Sequence, residues 1–287
     1  MLPIAYHLAK PKARTTSVIF ASPHSGREYP ASFLDAAVLD QAEIRSSEDA
    51  FVDLLYRDAP EHGAPLLTAL APRAYLDLNR GPEEMDAALI AGVRRVSHNP
   101  RVASGLGVVP RVVANGRAIY RGKLSLAEAH HRIATYWRPY HDALQTLIDE
   151  SHSIFGQAIL IDCHSMPHEA LSGMSQSGNA RPDVVLGDRF GASASPAIVE
   201  RVERAFAQAG LRVARNMPFA GAYIAQHYGR PSRRQHAVQI EIDRALYMNE
   251  ATLEPLSDFE EVRRVLSDVI KQVAEIGRDP QAALAAE

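Results

Sequence analysis

"ILIDCHSMP", Ile159 to Pro167, decides how this chain is read. An apolar run passes directly into Asp162, Cys163, His164 and Ser165. A short continuous apolar stretch bounded by polar residues and proline reads as a strand buried on both faces. A histidine where such a strand ends either fills a polar end or is the reason the strand ends there. Four other stretches share this character: "TSVIFAS" (16–22), which stops at Pro23, "PLLTAL" (65–70), "RAYLDLN" (73–79) and "HAVQIEI" (236–242).

Helical patterns lie between these strands. In 125–151, Leu126, Ile133, Trp137, Leu144 and Leu147 recur near helical spacing behind a Ser125 to Glu128 capping box, and Pro139 is expected to kink or divide the helix. "SPAIVERVERAFAQAG" (195–210) and "SDFEEVRRVLSDVIKQVAEIG" (257–277) are two further amphipathic helices, each with a capping residue before it and glycine after. The tail "DPQAALAAE" is expected to fray. Alternating strands and helices predict an α/β fold, a mainly parallel or mixed sheet covered by helices on both faces, in a single domain over residues 1–287.

Composition narrows the function. With 46% apolar and 23% charged residues, the 287-residue chain has the balance of a globular protein. The 31 basic and 34 acidic residues are interspersed, so neither nucleic acid nor an anionic membrane is the expected partner, and a small molecule is. The single Cys163 excludes an intrachain disulfide, and no run is long enough to cross a bilayer. Charges at the amino terminus stand where a signal peptide needs an apolar stretch, so those residues are read as part of the mature chain and the protein as cytoplasmic.

In a sheet of this kind ligands bind at the carboxyl ends of the strands. There the sequence presents His24, Ser25, Arg27 and Glu28; Asp77, Asn79 and Arg80; Asp162, His164 and Ser165; and Glu241, Asp243 and Arg244. Two histidines from separate strand ends with one carboxylate make the ligand set of an open catalytic zinc site, with a position left for water. A glutamate that does not ligate serves as general base, and Glu241 is the natural choice. The carboxylate ligand stays open among Glu28, Glu48 and Asp49.

Each of these residues also has a plain reading. A lone strand-end histidine is more often just a satisfied polar group, and it is the pair in matching contexts that carries the metal reading. Asp162 either bonds backbone or orients His164. Cys163 alternates to the other face and reads as a small buried residue. His130 and His131 belong to a solvated helix face; His7, His62, His98 and His152 receive no role. "GLGVV" (105–109) lacks the lysine of a phosphate loop.

"SPHSGREYP", "SSEDAFVDLLY", "RAYLDLNRGP", "RGKLSLAEAHHRIATYWRPYHDAL", "LIDCHSMP" and "YIAQHYGRPSRRQHAVQIEIDRALYMNE", in order from Ser22 to Glu250, resemble the N-formylglutamate amidohydrolase family. A more distant likeness is to zinc carboxypeptidases, in the order His24 and Ser25, Asp77 to Arg80, Asp162 to Ser165, then Glu241, which implies a three-layer, zinc-exopeptidase-like fold. The likeness implies His24 and His164 as ligands of Zn2+ or another divalent metal, Glu241 as general base, and Asn79 with Arg80 as a clamp for a substrate carboxylate.

Carboxypeptidases place their ligand glutamate three residues after the first histidine, where this chain has Arg27. The recurrent acidic position of the formylglutamate family resembles Asp49 instead, so the likeness implies Asp49 as third ligand, with Glu48 or Glu28 behind it. It further implies release of formate from an N-formyl amino acid such as N-formyl-L-glutamate, and a place in histidine breakdown.

A substrate with two carboxylates needs two cations, preferably arginines. Arg80 is the first, and Arg244, Arg73 and Arg230 compete for the second; Arg244 reads equally as a structural partner of a carboxylate. "AQHYGRP" is expected to be a loop that closes over ligand, with His227 or Tyr228 as donor to an oxyanion. The same apparatus would suit a carboxypeptidase or another N-acyl amino acid deacylase. A non-catalytic protein that senses an acidic metabolite is the reading from another class.

Overall fold

The computed structural model describes residues 4–94, 99–113, 116–173 and 181–278. His98 and the tail from residue 279 lie outside the described residues. The strands are β1 (Tyr6–Ala9), β2 (Val18–Ser22), β3 (Leu66–Ala69), β4 (Ala158–Met166), β5 (Val184–Gly187), β6 (Val213–Arg215) and β7 (Gln235–Asp243). The helices are α1 (Ala31–Ala36), α2 (Gln41–Arg45), α3 (Val52–Leu55), α4 (Pro100–Ala103), α5 (Leu126–Arg132), α6 (Arg138–Phe155), α7 (Pro196–Gln208), α8 (Tyr223–Tyr228) and α9 (Phe259–Ile276).

The strands form one mixed seven-stranded sheet in the order β1-β3-β2-β4-β7-β5-β6, flanked by helices, as expected of the α/β class. β2, β4 and β7 run parallel, and β5 is antiparallel to β7. Every residue of β2, β4 and β5 is buried. Burial on both faces is why these strands read as unbroken apolar runs rather than alternating ones. The chain divides into two compact units, one of Met1–His7, Pro23–Ala50 and Thr68–Ala143, the other of Leu8–Ser22, Phe51–Leu67 and Leu144–Glu287. The second contains β2, β4, β5, β6 and β7.

Two local expectations are corrected, and the expected division of a helix is located. Residues 73–79 are not a strand. The Tyr75 and Leu76 N–H groups donate to the Pro72 carbonyl and the Asp77 N–H to Val108, so turns satisfy this backbone instead of a ladder. Its apolar residues Tyr75, Leu76 and Leu78 are nevertheless buried, which is why the stretch resembled a strand. β4 does not stop at His164 but runs to Met166, because β7 accompanies it in register as far as Asp243. The helix at 125–151 is divided by a π-helical turn, Ile133–Trp137, ahead of Pro139 in α6. A wider turn accommodates a proline that has no N–H to donate.

Candidate metal centre and active site

In the first unit, His24 follows the end of β2 by two residues, in a turn laid against another stretch of backbone. The Glu28 N–H donates to the Leu70 carbonyl at 2.9 Å, and a Cβ on Gly26 would lie 2.2 Å from the Ala71 carbonyl oxygen. Only glycine permits so close an approach. The Asp49 N–H donates to the His24 carbonyl at 3.0 Å, which ties the two residues together through backbone. Just beyond, Phe51 holds φ at 65°, a conformation costly for a bulky residue and one that clusters at functional sites.

The ring of His24 has a partner on each side. Nε2 lies 2.7 Å from Asp77 Oδ1, and Nδ1 lies 3.5 Å from Asp49 Oδ2. Asp77 also accepts from Arg73 Nε at 3.1 Å and from the Asn79 N–H at 2.8 Å. Burial alone would raise the Asp77 carboxyl, but the charges of His24, Arg73 and Arg80 outweigh it and hold the group well below the usual carboxylate range. Asp77 is therefore an ionised acceptor for Nε2–H, the arrangement that orients a metal-ligating histidine. Sequence reading put Asp77 on the rim without a role; its partner lies 53 positions away, and no spacing rule reports such a pair.

The other carboxylates near His24 are engaged or displaced. Glu48 accepts from the Tyr29 hydroxyl at 2.6 Å and from Arg45 Nε and Nη2 at 3.0 and 3.2 Å. Glu28 is exposed. Asn79 and Arg80 sit on a buried loop braced from the helical segment: Trp137 Nε1 donates to the Arg80 carbonyl at 2.9 Å, His141 Nε2 lies 2.9 Å from the Leu78 carbonyl, and the two rings stack at 3.9 Å. Arg80 Nε donates to the Leu106 carbonyl and Nη1 to the Asn79 carbonyl. "GLGVV" thus braces an arginine. Arg73 is spent on Asp77, and the exposed Arg230 donates to the Gln226 and Gly229 carbonyls of its own segment.

In the second unit, Asp162 and His164 project from β4 to one face, with His164 Nε2 3.0 Å from Asp162 Oδ1. In the parallel ladder His164 stands beside Glu241 of β7, and Asp162 beside Gln239. Glu241 is buried; its Oε1 accepts from Gln239 Nε2 at 2.8 Å, and Gln239 Oε1 accepts from the Ala222 N–H at the start of α8 at 3.2 Å. Cys163 alternates to the other face, fully buried, and burial pushes its thiol well above the ordinary range. His130 and His131 are exposed.

Arg244, also buried, donates from Nε to Ser165 Oγ at 3.2 Å, with Nη1 4.0 Å from Glu250. "AQHYGRP" is not an open loop, since its first residues form α8. Tyr228 is buried there, while His227 is exposed and stacked on Tyr223 at 5.0 Å.

Among the described residues, His24, Asp49 and His164 each offer one ligand atom, and these atoms all lie within 4.8 Å of one another. All three residues are buried, and the cluster can hold a metal ion. Two imidazoles and one carboxylate match the three-protein-ligand set of a catalytic zinc site, and the Asp77 oxygen on Nε2 of His24 leaves Nδ1 as the nitrogen of that ring free to face an ion.

The chain is similar in sequence and in fold to known proteins. Residues 16–248 match the family model described as N-formylglutamate amidohydrolase. The chain is 32% identical over 269 residues to an N-formylglutamate deformylase of Pseudomonas aeruginosa, covering 91% of this chain and 94% of that protein. It is 30% identical over 263 residues to an N-formylglutamate deformylase of Pseudomonas putida, covering 89% and 90%. The crystal structure of N-formylglutamate amidohydrolase from Ralstonia eutropha JMP134 superposes with a TM-score of 0.89 at 36% identity, covering 95% of this chain and 98% of that one.

Proposed function

The chain belongs to the N-formylglutamate amidohydrolase family, and on that premise we propose that His24, Asp49 and His164 hold a catalytic zinc ion with Glu241 as the general base. The protein is an amide-cleaving hydrolase that converts N-formyl-L-glutamate to formate and L-glutamate. The observation that carries the metal reading is the buried cluster of two imidazoles and one carboxylate, with Glu241 beside His164 in the β4–β7 ladder.

Zinc in such a set supplies Lewis-acid activation of water and of a carbonyl oxygen. Asp77 keeps the proton of the His24 imidazole on Nε2, and the Asp162 carboxylate lies beside Nε2 of His164. Glu241 takes a proton from the water that attacks the formyl carbon, then returns it to the leaving amine, so formate and the free amino group leave together. Gln239, anchored at the start of α8, holds the Glu241 carboxylate in place for both transfers. Two of the three guanidinium nitrogens of Arg80 are committed to carbonyls, and the third, with Asn79, takes the α-carboxylate. Arg244 lends positive charge nearby through Ser165, and Tyr228, the buried member of the α8 pair, is a better placed oxyanion donor than His227.

We read residues 1–287 as one catalytic domain, because both units supply groups assigned to the same reaction. A cytoplasmic setting goes with this reading, supported by the unpaired Cys163. No helix among the described residues is long and apolar enough to cross a membrane.

Metal analysis together with formate release from N-formyl-L-glutamate tests the proposal. The expected result is one zinc per chain, with turnover lost on chelation and restored by zinc. Full turnover in metal-free protein overturns it.

A further inference from the structure

In the second unit a chain of side chains remains that the reaction above does not use. Asp243 Oδ2 lies 2.7 Å from His168 Nδ1, and Arg181 Nη1 bonds His168 Nε2. Arginine can only donate, so His168 Nε2 must accept through its lone pair. That places an imidazole proton on Nδ1, facing Asp243, with the ring standing between a carboxylate and a guanidinium. The arrangement is fixed from both ends: the Ala245 N–H donates to Asp243 Oδ1 at 3.0 Å, and the His168 N–H donates to Glu250 Oε1 at 2.9 Å.

Several arginines of this unit are paired with carboxylates, Arg212 with Asp183, Arg215 with Glu203 and Arg263 with Asp58, while Arg201 and the exposed Arg230 donate to backbone carbonyls. The half-buried Arg181 makes no ion pair among the described residues, and the His168 ring aims it. A cation held without an internal counter-charge is what recognition of an anion requires.

Its place in the sheet is equally specific. Asp243 follows Glu241 by two residues in β7, so the two side chains share a face, one pleat or about 6.6 Å apart. Met166 is the ladder partner of Asp243, as His164 is of Glu241, and His168 follows just past the end of β4. From Asp243 the contacts run on through the His168 ring to the Arg181 guanidinium.

We infer that Arg181, aimed by the His168–Asp243 pair, binds the side-chain carboxylate of the substrate and sets the preference for an acidic N-formyl amino acid. This rests on the hydrolase reading above and deepens it. Arg181 touches substrate; His168 and Asp243 are positioning residues.

The test is the ratio of kcat/KM for N-formyl-L-glutamate to that for its neutral near-isostere N-formyl-L-glutamine, in wild type, Arg181→Gln, Arg181→Lys and His168→Gln. Loss of one charge-assisted contact is expected to lower the ratio about 10- to 100-fold in Arg181→Gln, mainly through KM for the glutamate compound. Arg181→Lys should recover part of it, and His168→Gln should give a smaller fall in the same ratio. An active wild type with an unchanged ratio in Arg181→Gln, or equal losses on both compounds, overturns the inference alone. Wild-type protein that releases no formate from either compound overturns the hydrolase reading and this inference with it.

Discussion

Asp77 Oδ1 lies 2.7 Å from His24 Nε2, and this pairing determines which ring nitrogen of His24 is turned toward Asp49. Arg73 and the Asn79 N–H share the same carboxylate, so its position is over-determined. Asp77→Asn keeps the shape but loses the charge that favours the Nε2–H form. Zinc affinity is expected to fall about 10- to 100-fold, read by competition with a chromogenic chelator. Unchanged affinity would leave Asp77 a purely structural residue.

Asp49 and Glu48 are adjacent in sequence and opposite in consequence. Asp49→Ala removes the proposed carboxylate ligand and should abolish stoichiometric zinc, whereas Glu48→Gln should retain zinc while weakening the contacts to Tyr29 and Arg45. Metal content of the two purified variants decides, and a zinc-loaded Asp49→Ala would refute the assignment.

Glu241→Gln preserves the hydrogen-bonding shape beside Gln239 but cannot accept a proton. Bound zinc should remain at wild-type stoichiometry while kcat falls about 10²- to 10⁴-fold. Substantial turnover in this variant would remove Glu241 from the role of base.

Arg80→Met should lower kcat/KM for N-formyl-L-glutamate and N-formyl-L-glutamine alike, by about 10- to 100-fold, because both carry the α-carboxylate. A loss confined to the glutamate compound would instead place Arg80 at the side-chain carboxylate.

Cys163 supplies a pH prediction. Burial raises its thiol well above the ordinary value, so the folded protein keeps it protonated where an exposed thiol, with a pKa of about 8.5, ionises. Stability carried by this group is present below that pH and declines as pH rises beyond it. A thiol reagent at pH 8 should label native protein negligibly and denatured protein once per chain. Rapid native labelling would contradict the burial.

Much of this was legible in the chain. β2, β4 and β7 are continuous apolar runs because both their faces are covered, and that pattern survives in one dimension. His164, Glu241 and Asp162 were readable because alternation along a strand assigns their faces. Residues 73–79 misled for the converse reason: their apolar side chains are buried from turns, and burial without a ladder leaves the same composition as a strand. Arg181 and His168 gave no signal, since neither lies in a strand and 13 positions separate them.

The sequence by itself determined the strands β2, β3, β4 and β7, the family likeness and two of the metal-ligating candidates, His24 and His164, because local periodicity and strand-end position are properties of neighbouring residues. The family likeness already preferred Asp49 over Glu48 and Glu28; only the tertiary structure set it within reach of His24 and His164, gave Asp77 to His24 and, among the described residues, left Arg181 without an ion pair. Those choices depend on which distant loops are packed together, and a separation along the chain does not specify a distance in space.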